Sequence, residues 1–194
     1  MFNRELKKKN FEKHVATFTD YGNIKILDFK NPDSIVYRIR FVFEEDYYRL
    51  HISGDLGELT ASNYCNMCYE KFEDFVRDPG YFETKIDCHS RPIYTFDPEK
   101  ARTDLREKLN GLLMPNGYQT YEESEEEREE KIDEILDDFD YEKGLGSKAV
   151  EILEEIDPDT YLWCDEIGKE ETGIIELYML AFELAQEQLK GADK

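Results

Sequence analysis

Apolar and polar residues alternate with a period of two through much of the first hundred positions, then recur at three and four through most of the rest. The clearest alternation runs from Ser34 to Phe43, with Ile35, Tyr37, Ile39, Phe41 and Phe43 on one face and Val36, Arg38, Arg40 and Val42 on the other. It predicts a strand with one buried side. Before it, Val15 to Asp20 and Asn23 to Phe29 flank Tyr21-Gly22 and predict a hairpin. In the second of these segments Ile24 and Ile26 fall opposite Leu27 and Phe29, so a bulge is expected. After the charged turn Glu44-Glu45-Asp46, Tyr47 to Ser53 returns with Tyr48, Leu50 and Ile52 on its core face. Gly54-Asp55-Leu56-Gly57 then turns into Glu58 to Ala61. Together these segments predict an antiparallel meander of four or five strands.

Helices are expected to cover it. Residues 4 to 14 and Tyr69 to Val76 have helical spacing, Gly80 to Cys88 is ambiguous with a short helix as one reading, and Arg91 to Phe96 reads as a last strand or connector. Asp97-Pro98 is an N-cap with proline at the first helical position, and Ala101, Leu105, Leu109, Leu112 and Leu113 follow as an apolar face. Met114 to Tyr118, with Pro115 and Gly117, is the expected domain break. Thr120 and Glu123 fit a capping box for the next helix. That helix has a thin apolar stripe of Ile132, Ile135, Leu136 and Phe139. Further helices are expected from Ser147 to Ile156 and from Lys169 to Lys190. The expected fold is α+β: a sheet domain over residues 1–115, followed by an acidic helical domain over 118–194.

Charge changes this picture most. The chain has 194 residues and a net charge of −21. Residues 101–194 hold 28 acidic and 10 basic side chains, against 18 and 15 in residues 1–100. The run from Glu122 to Glu142 alone carries 13 carboxylates opposed by Arg128 and Lys131. Like charges four apart cost a helix a few tenths of a kcal/mol each. Glu122/Glu126, Glu123/Glu127, Glu125/Glu129, Glu126/Glu130, Glu129/Asp133 and Glu130/Glu134 all have that spacing. Carboxylates near the helix N-terminus offset part of the cost. Such a surface repels nucleic acid and anionic membrane and attracts basic grooves. Duplex DNA carries one charge per about 1.7 Å of axis, and a helix rises about 1.5 Å per residue, so a helix rich in carboxylates approaches that density. The candidate partner-binding residues are therefore Glu122, Glu123, Glu125, Glu126, Glu127, Glu129, Glu130, Asp133, Glu134, Asp137, Asp138 and Asp140. Tyr118, Tyr121 and Tyr141 are candidate anchors. A solvated face with no partner is the competing reading.

Chemistry-bearing motifs are sparse. Cys65-Asn66-Met67-Cys68 has CxxC spacing and Cys88-His89 lies 20 positions on, but adjacent residues do not easily reach one tetrahedral ion. Ordinary packing is the expected role of Cys65, Cys68 and Cys88, and a reducing cytoplasm is the expected setting. His51, Ser53 and Asp55 alternate on one strand, and Asp55, Glu58 and Asp87 have the right chemistry for a divalent ion and metal-assisted phosphodiester hydrolysis. Their spacing is not diagnostic. Phosphate-loop, nucleophile-elbow, zinc-protease and dinucleotide motifs do not occur, and no cofactor is expected. Lys7, Lys8, Lys9 and Lys13 form a small basic cluster expected to pair with the protein's own acidic face. No window approaches 18 consecutive apolar residues, and Met1 to Asn10 does not resemble a signal peptide.

The stretches HVATFTDYGNIKILDFKNPDSIVYRIRFVFEEDYYRLHISGDLGELTASNY and GYFETKIDCHSRPIYTFDPEKA carry a resemblance, above all in the turn Ser53 to Glu58 and in Gly80 to Ile86. They resemble a group of small uncharacterised proteins from prophages and mobile elements of Gram-positive bacteria, over roughly residues 10–115. Such sets include anti-CRISPR proteins, some of which mimic DNA while others act enzymatically on guide RNA or effector. The resemblance points to this class, and the acidic C-terminal helices fit its mimic branch: the expected function is a non-enzymatic inhibitor of a nucleic-acid-binding protein in a bacterial host cytoplasm, with a type II CRISPR effector nuclease or its guide-RNA complex as candidate partner. A metal-dependent nuclease acting on RNA and a phage structural or assembly protein are the alternatives.

Overall fold

The computed structural model describes residues 2–112 and 125–192. In chain order the elements are α1 (Arg4–Lys8), β1 (Val15–Asp20), β2 (Ile24–Lys30), β3 (Ile39–Glu44), β4 (Arg49–Gly54), β5 (Leu59–Ser62), α2 (Glu73–Arg77), α3 (Pro79–Glu83), β6 (Ile86–His89), β7 (Tyr94–Phe96), α4 (Pro98–Leu112), α5 (Glu125–Leu136), β8 (Phe139–Asp140), β9 (Gly144–Leu145), α6 (Ser147–Ile156), β10 (Lys169–Glu171) and α7 (Ile174–Ala192). The protein is α+β, with a six-stranded antiparallel meander in the order β1-β2-β3-β4-β5-β6.

The chain forms two compact units, one of residues 1–93 with 173–194 and one of residues 94–172. These boundaries differ from the expected division into 1–115 and 118–194. Met114 to Tyr118 and the Thr120–Glu123 capping box lie outside the described residues. The last helix belongs with the sheet rather than with the acidic helices: Phe182 of α7 packs against Phe41, Phe43 and Phe72 at ring separations of 5.5, 6.1 and 4.7 Å.

In the first unit, Leu27, Phe29, Ile39, Phe41, Phe43, Leu50, Ile52, Leu59 and Ala61 point to one face of the sheet and are buried, as a period of two requires. α7 and α2 supply the other side of this core, with Phe72, Phe75 and Phe82 buried. Three expectations are corrected here. β1, β2 and β3 pair without a register break, so no bulge is needed: Leu27 and Phe29 face the core, and Ile24 and Ile26 lie opposite Glu44 and Val42 on the outer face. The strand expected from Ser34 begins only at Ile39, because Tyr37 adopts a left-handed backbone (φ 58°) that no strand accommodates. Tyr48 is also left-handed (φ 53°) and exposed rather than in the core. A left-handed residue with a Cβ costs roughly 1–2 kcal/mol.

The strain at Tyr37 is held from both sides. Its N–H donates to Asp55 Oδ2 at 2.9 Å, and its carbonyl lies 3.1 Å from His14 Nε2. His14 is buried between Phe11 and Phe29, and its Nδ1 has no hydrogen-bond partner among the described residues. Burial lowers the imidazole pKa from its ordinary 6.5, against the opposing pull of the Tyr37 and Val36 carbonyls. The unfolded chain therefore takes up this proton more readily than the folded one. His14 contributes stability that is complete above pH 6.5 and is lost as pH falls from there toward the lowered folded value. Urea midpoints are expected to drop between about pH 7.5 and about pH 5.5, and the His14→Gln variant to show a smaller drop; equal slopes would remove His14 as the cause.

The second unit gathers α4, α5 and α6 around Ala101, Leu105, Leu109, Ile132, Ile135, Ala149, Leu153 and Ile167. Two short ribbons, β7 with β10 and β8 with β9, complete it. Asp97 caps α4 as expected, accepting from the Lys100 N–H at 2.7 Å. The unit's sequence carries 26 acidic and 9 basic residues, and so accounts for most of the protein's charge.

Candidate functional site

The acidic helix α5 is fixed by its apolar stripe. Ile132 and Ile135 are buried in the core of the second unit and Leu136 is half-buried. At 100° per residue this orientation divides the carboxylates into two rows. Glu129 and Asp133 turn toward α4, where they meet arginines. Arg106 holds Glu129 through Nε and Nη2 at 2.5 and 2.7 Å. Arg102 reaches Glu129 at 3.2 Å and Asp133 at 2.5 Å. Arg106, with Arg102 behind it, keeps the Glu129 carboxyl below its usual pKa despite partial desolvation. This fork geometry is the bidentate pairing in which guanidinium exceeds ammonium. The sequence contained its signal: arginines four apart on α4 match carboxylates four apart on α5.

Asp138 and Asp140 are also structural. Asp138 Oδ2 accepts from the Lys148 and Ala149 N–H groups at 2.9 and 3.3 Å and so caps α6. Ser147 was the expected cap, but Gly146 occupies that position and no side chain of its own closes the helix. A Cβ at Gly146 would lie 2.3 Å from Asp138 Oδ2, so the glycine makes room for the carboxylate. Asp138→Ala is expected to cost about 1 kcal/mol, the usual worth of such a cap, read as a shift in the urea midpoint. Asp140 Oδ1 accepts from the Glu142 and Lys143 N–H groups and forms the β8–β9 turn.

What remains exposed is Glu126, Glu130, Glu134 and Asp137, with Glu125 and Glu127 beside them. Glu126, Glu130 and Glu134 follow one another at steps of four, which places them along one side of the helix, and Asp137 lies just past its C-terminal end. The three helical carboxylates span about 12 Å, at one charge per about 6 Å of axis, which is sparser than the 3.4 Å spacing of one DNA strand. Glu122, Glu123, Tyr118 and Tyr121 lie outside the described residues. Tyr141 is exposed.

The other candidates resolve differently. Asp55 holds the Tyr37 amide, and Asp87 accepts from Ser62 Oγ at 3.2 Å. His51 lies between Glu44 (3.2 Å) and Thr60 (3.3 Å) rather than with Ser53 and Asp55. Arg40 is engaged by Asp28 at 2.7 and 3.0 Å. Among the described residues, the one trio with metal-ligand atoms mutually within 4.8 Å is Glu45, Cys68 and Glu70, and the Lys25 ammonium already pairs with both of its carboxylates. Burial opposes that ammonium, but Glu70 and Glu45 together raise its pKa. Cys68, Cys88 and His89 form no such group among the described residues, and His89 Nδ1 contacts the Arg91 carbonyl at 2.7 Å. In the basic cluster, Lys8 pairs with Glu5 of its own helix α1 rather than with the acidic face. No described helix is long and apolar enough to cross a membrane. Comparison with protein-family models, curated proteins and solved structures finds no match.

Proposed function

We propose that this protein is a non-enzymatic inhibitor that binds a nucleic-acid-binding protein by presenting the exposed carboxylate side of α5 in place of phosphates. The observation that supports this reading is the division of the helix. Its core-facing stripe and its Arg102–Arg106 row anchor it, while Glu126, Glu130, Glu134 and Asp137 stay exposed with no ion pair among the described residues. A chain that needed the run only for packing has no use for this second row, whose mutual repulsion costs stability. Lysines and arginines that normally grip phosphates would meet these carboxylates instead, and occlusion of the groove would follow. The resemblance of residues 10–115 to mobile-element proteins makes a type II CRISPR effector nuclease the candidate partner.

The test is titration of a purified type II effector, loaded with guide RNA, with this protein. A complex on size exclusion that weakens with salt, together with loss of target-DNA binding, is the expected result. An effector that neither binds the protein nor loses DNA binding would remove this candidate partner. The RNA-nuclease alternative predicts divalent-ion-dependent cleavage abolished by Asp55→Ala or Glu58→Ala. Asp55 has a structural role that accounts for it without a metal.

A further inference from the structure

A second surface lies at one end of the sheet in the first unit. Three segments meet there: the β1–β2 turn, the β3–β4 connection and the residues after β5. They are stitched by the Glu45 N–H to the Asn23 carbonyl (2.8 Å), Asn23 Nδ2 to Asp46 Oδ2 (2.8 Å) and the Asn63 N–H to the Tyr48 carbonyl (3.0 Å). This bonded frame carries four exposed tyrosines, Tyr21, Tyr47, Tyr48 and Tyr64, with the last 84% exposed. The rings of Tyr48 and Tyr64 lie 5.5 Å apart. Tyr48 keeps its ring at the cost of a left-handed backbone that glycine or asparagine would adopt more easily. Neither burial nor turn geometry calls for an aromatic side chain at these positions. Strain retained at an exposed aromatic points to use of the ring.

We propose that this tyrosine cluster is a docking surface for an arginine-bearing segment of a partner protein. Charge selects the partner. Asp20, Glu44, Glu45 and Asp46 lie on these segments or at the strand ends that enter them, with Asp20 and Asp46 exposed; Glu45 is paired with Lys25, Glu44 meets His51, and Arg49 stands across from Glu44. The tyrosine faces carry negative π density, which attracts a cation set over the ring. Arginine fits better than lysine because its guanidinium is planar, weakly hydrated and stacks while still bonding to a carboxylate. Tyrosine supplies this contact area with few rotatable bonds to immobilise. A second copy of the chain would bring its own charge of −21 against this one, and a nucleic acid would be repelled in the same way. The surface shares no residue with α5, and the inference does not depend on the carboxylate row.

The test uses labelled deca-arginine and deca-lysine peptides titrated with the full chain at about 0.15 M salt, where longer-range attraction is screened. The wild type is expected to bind the arginine peptide about tenfold tighter than the lysine peptide, from two or three stacked pairs. Tyr47→Ser with Tyr64→Ser should bring that ratio close to one while leaving lysine-peptide binding nearly unchanged, and Tyr47→Phe with Tyr64→Phe should restore the preference. Glu126→Gln, Glu130→Gln and Glu134→Gln should weaken both peptides alike and keep the ratio, which separates failure of this inference from failure of the α5 reading. A wild-type ratio near one, or a ratio that survives the serine changes, overturns the proposal. Self-association abolished by the serine variant would assign the surface to a second copy. Loss of binding to a single-stranded RNA oligonucleotide in that variant would assign it to nucleic acid. Either result overturns the arginine reading.

Discussion

Phe72→Ala is expected to lower the unfolding free energy by about 3–5 kcal/mol, the range for deleting a fully buried aromatic ring. Phe72 is the hub of the first unit's core. Its ring lies 4.7 Å from that of Phe182, 5.4 Å from Phe43, 5.5 Å from both Phe75 and Phe82, and 6.3 Å from Phe41. These neighbours come from β3, α2, α3 and α7, so one substitution loosens the sheet, both short helices and the last helix together. Three of the five pairs are edge-on and two are tilted, arrangements that add to area burial rather than replacing it. A domain of this size has about 5–15 kcal/mol in total, so the variant should unfold at a much lower urea midpoint. A loss under about 1 kcal/mol would mean that the five rings do not pack around Phe72.

The strands of this core were readable from alternation because each buries one face, and the two faces of a strand differ in polarity. Ile39, Phe41 and Phe43 fall where their spacing places them. The same alternation extended too far back, through Ile35 and Tyr37, because a left-handed backbone leaves no trace in hydropathy; Ile35 is exposed. β2 misled in the opposite sense. Ile24 and Ile26 look like core residues, yet sit on the outer face, where partial exposure of apolar groups is ordinary. The placement of α7 was not legible at all. Its apolar stripe would fit a helical bundle as well as a sheet, and only the packing of Phe182 across more than a hundred residues decides it. In the candidate site the acidic run was plain, but its division was not. The matched spacing of Arg102 and Arg106 with Glu129 and Asp133 was open to reading. The cap that Asp138 makes on α6 was not, since it depends on a turn of eight intervening residues.

That division yields the sharpest functional expectation. Replacing Glu126, Glu130, Glu134 and Asp137 by Gln, Gln, Gln and Asn is expected to weaken a cationic partner about a hundredfold at low salt. Each exposed ion pair contributes roughly 0.7 kcal/mol, within the measured range for such pairs, and four give about 2.8 kcal/mol. Net charge is the obvious confounder, because the change also removes four charges from a protein at −21. Two double variants separate the effects. Glu126→Gln with Glu130→Gln and Glu129→Gln with Asp133→Asn each remove two carboxylates from the same helix. The first pair is exposed, and the second is held by Arg102 and Arg106. The first double should lose about tenfold in affinity and keep its melting temperature, as expected if its carboxylates meet the partner. The second should change affinity by less than about twofold and melt earlier, because it leaves two guanidinium groups without their carboxylates. Raising the salt to about 1 M, where the screening length is about 3 Å, should erase the difference in affinity and leave the difference in melting. Equal losses in the two doubles would mean that the partner responds to total charge, and that the exposed row of α5 is a solvated face after all.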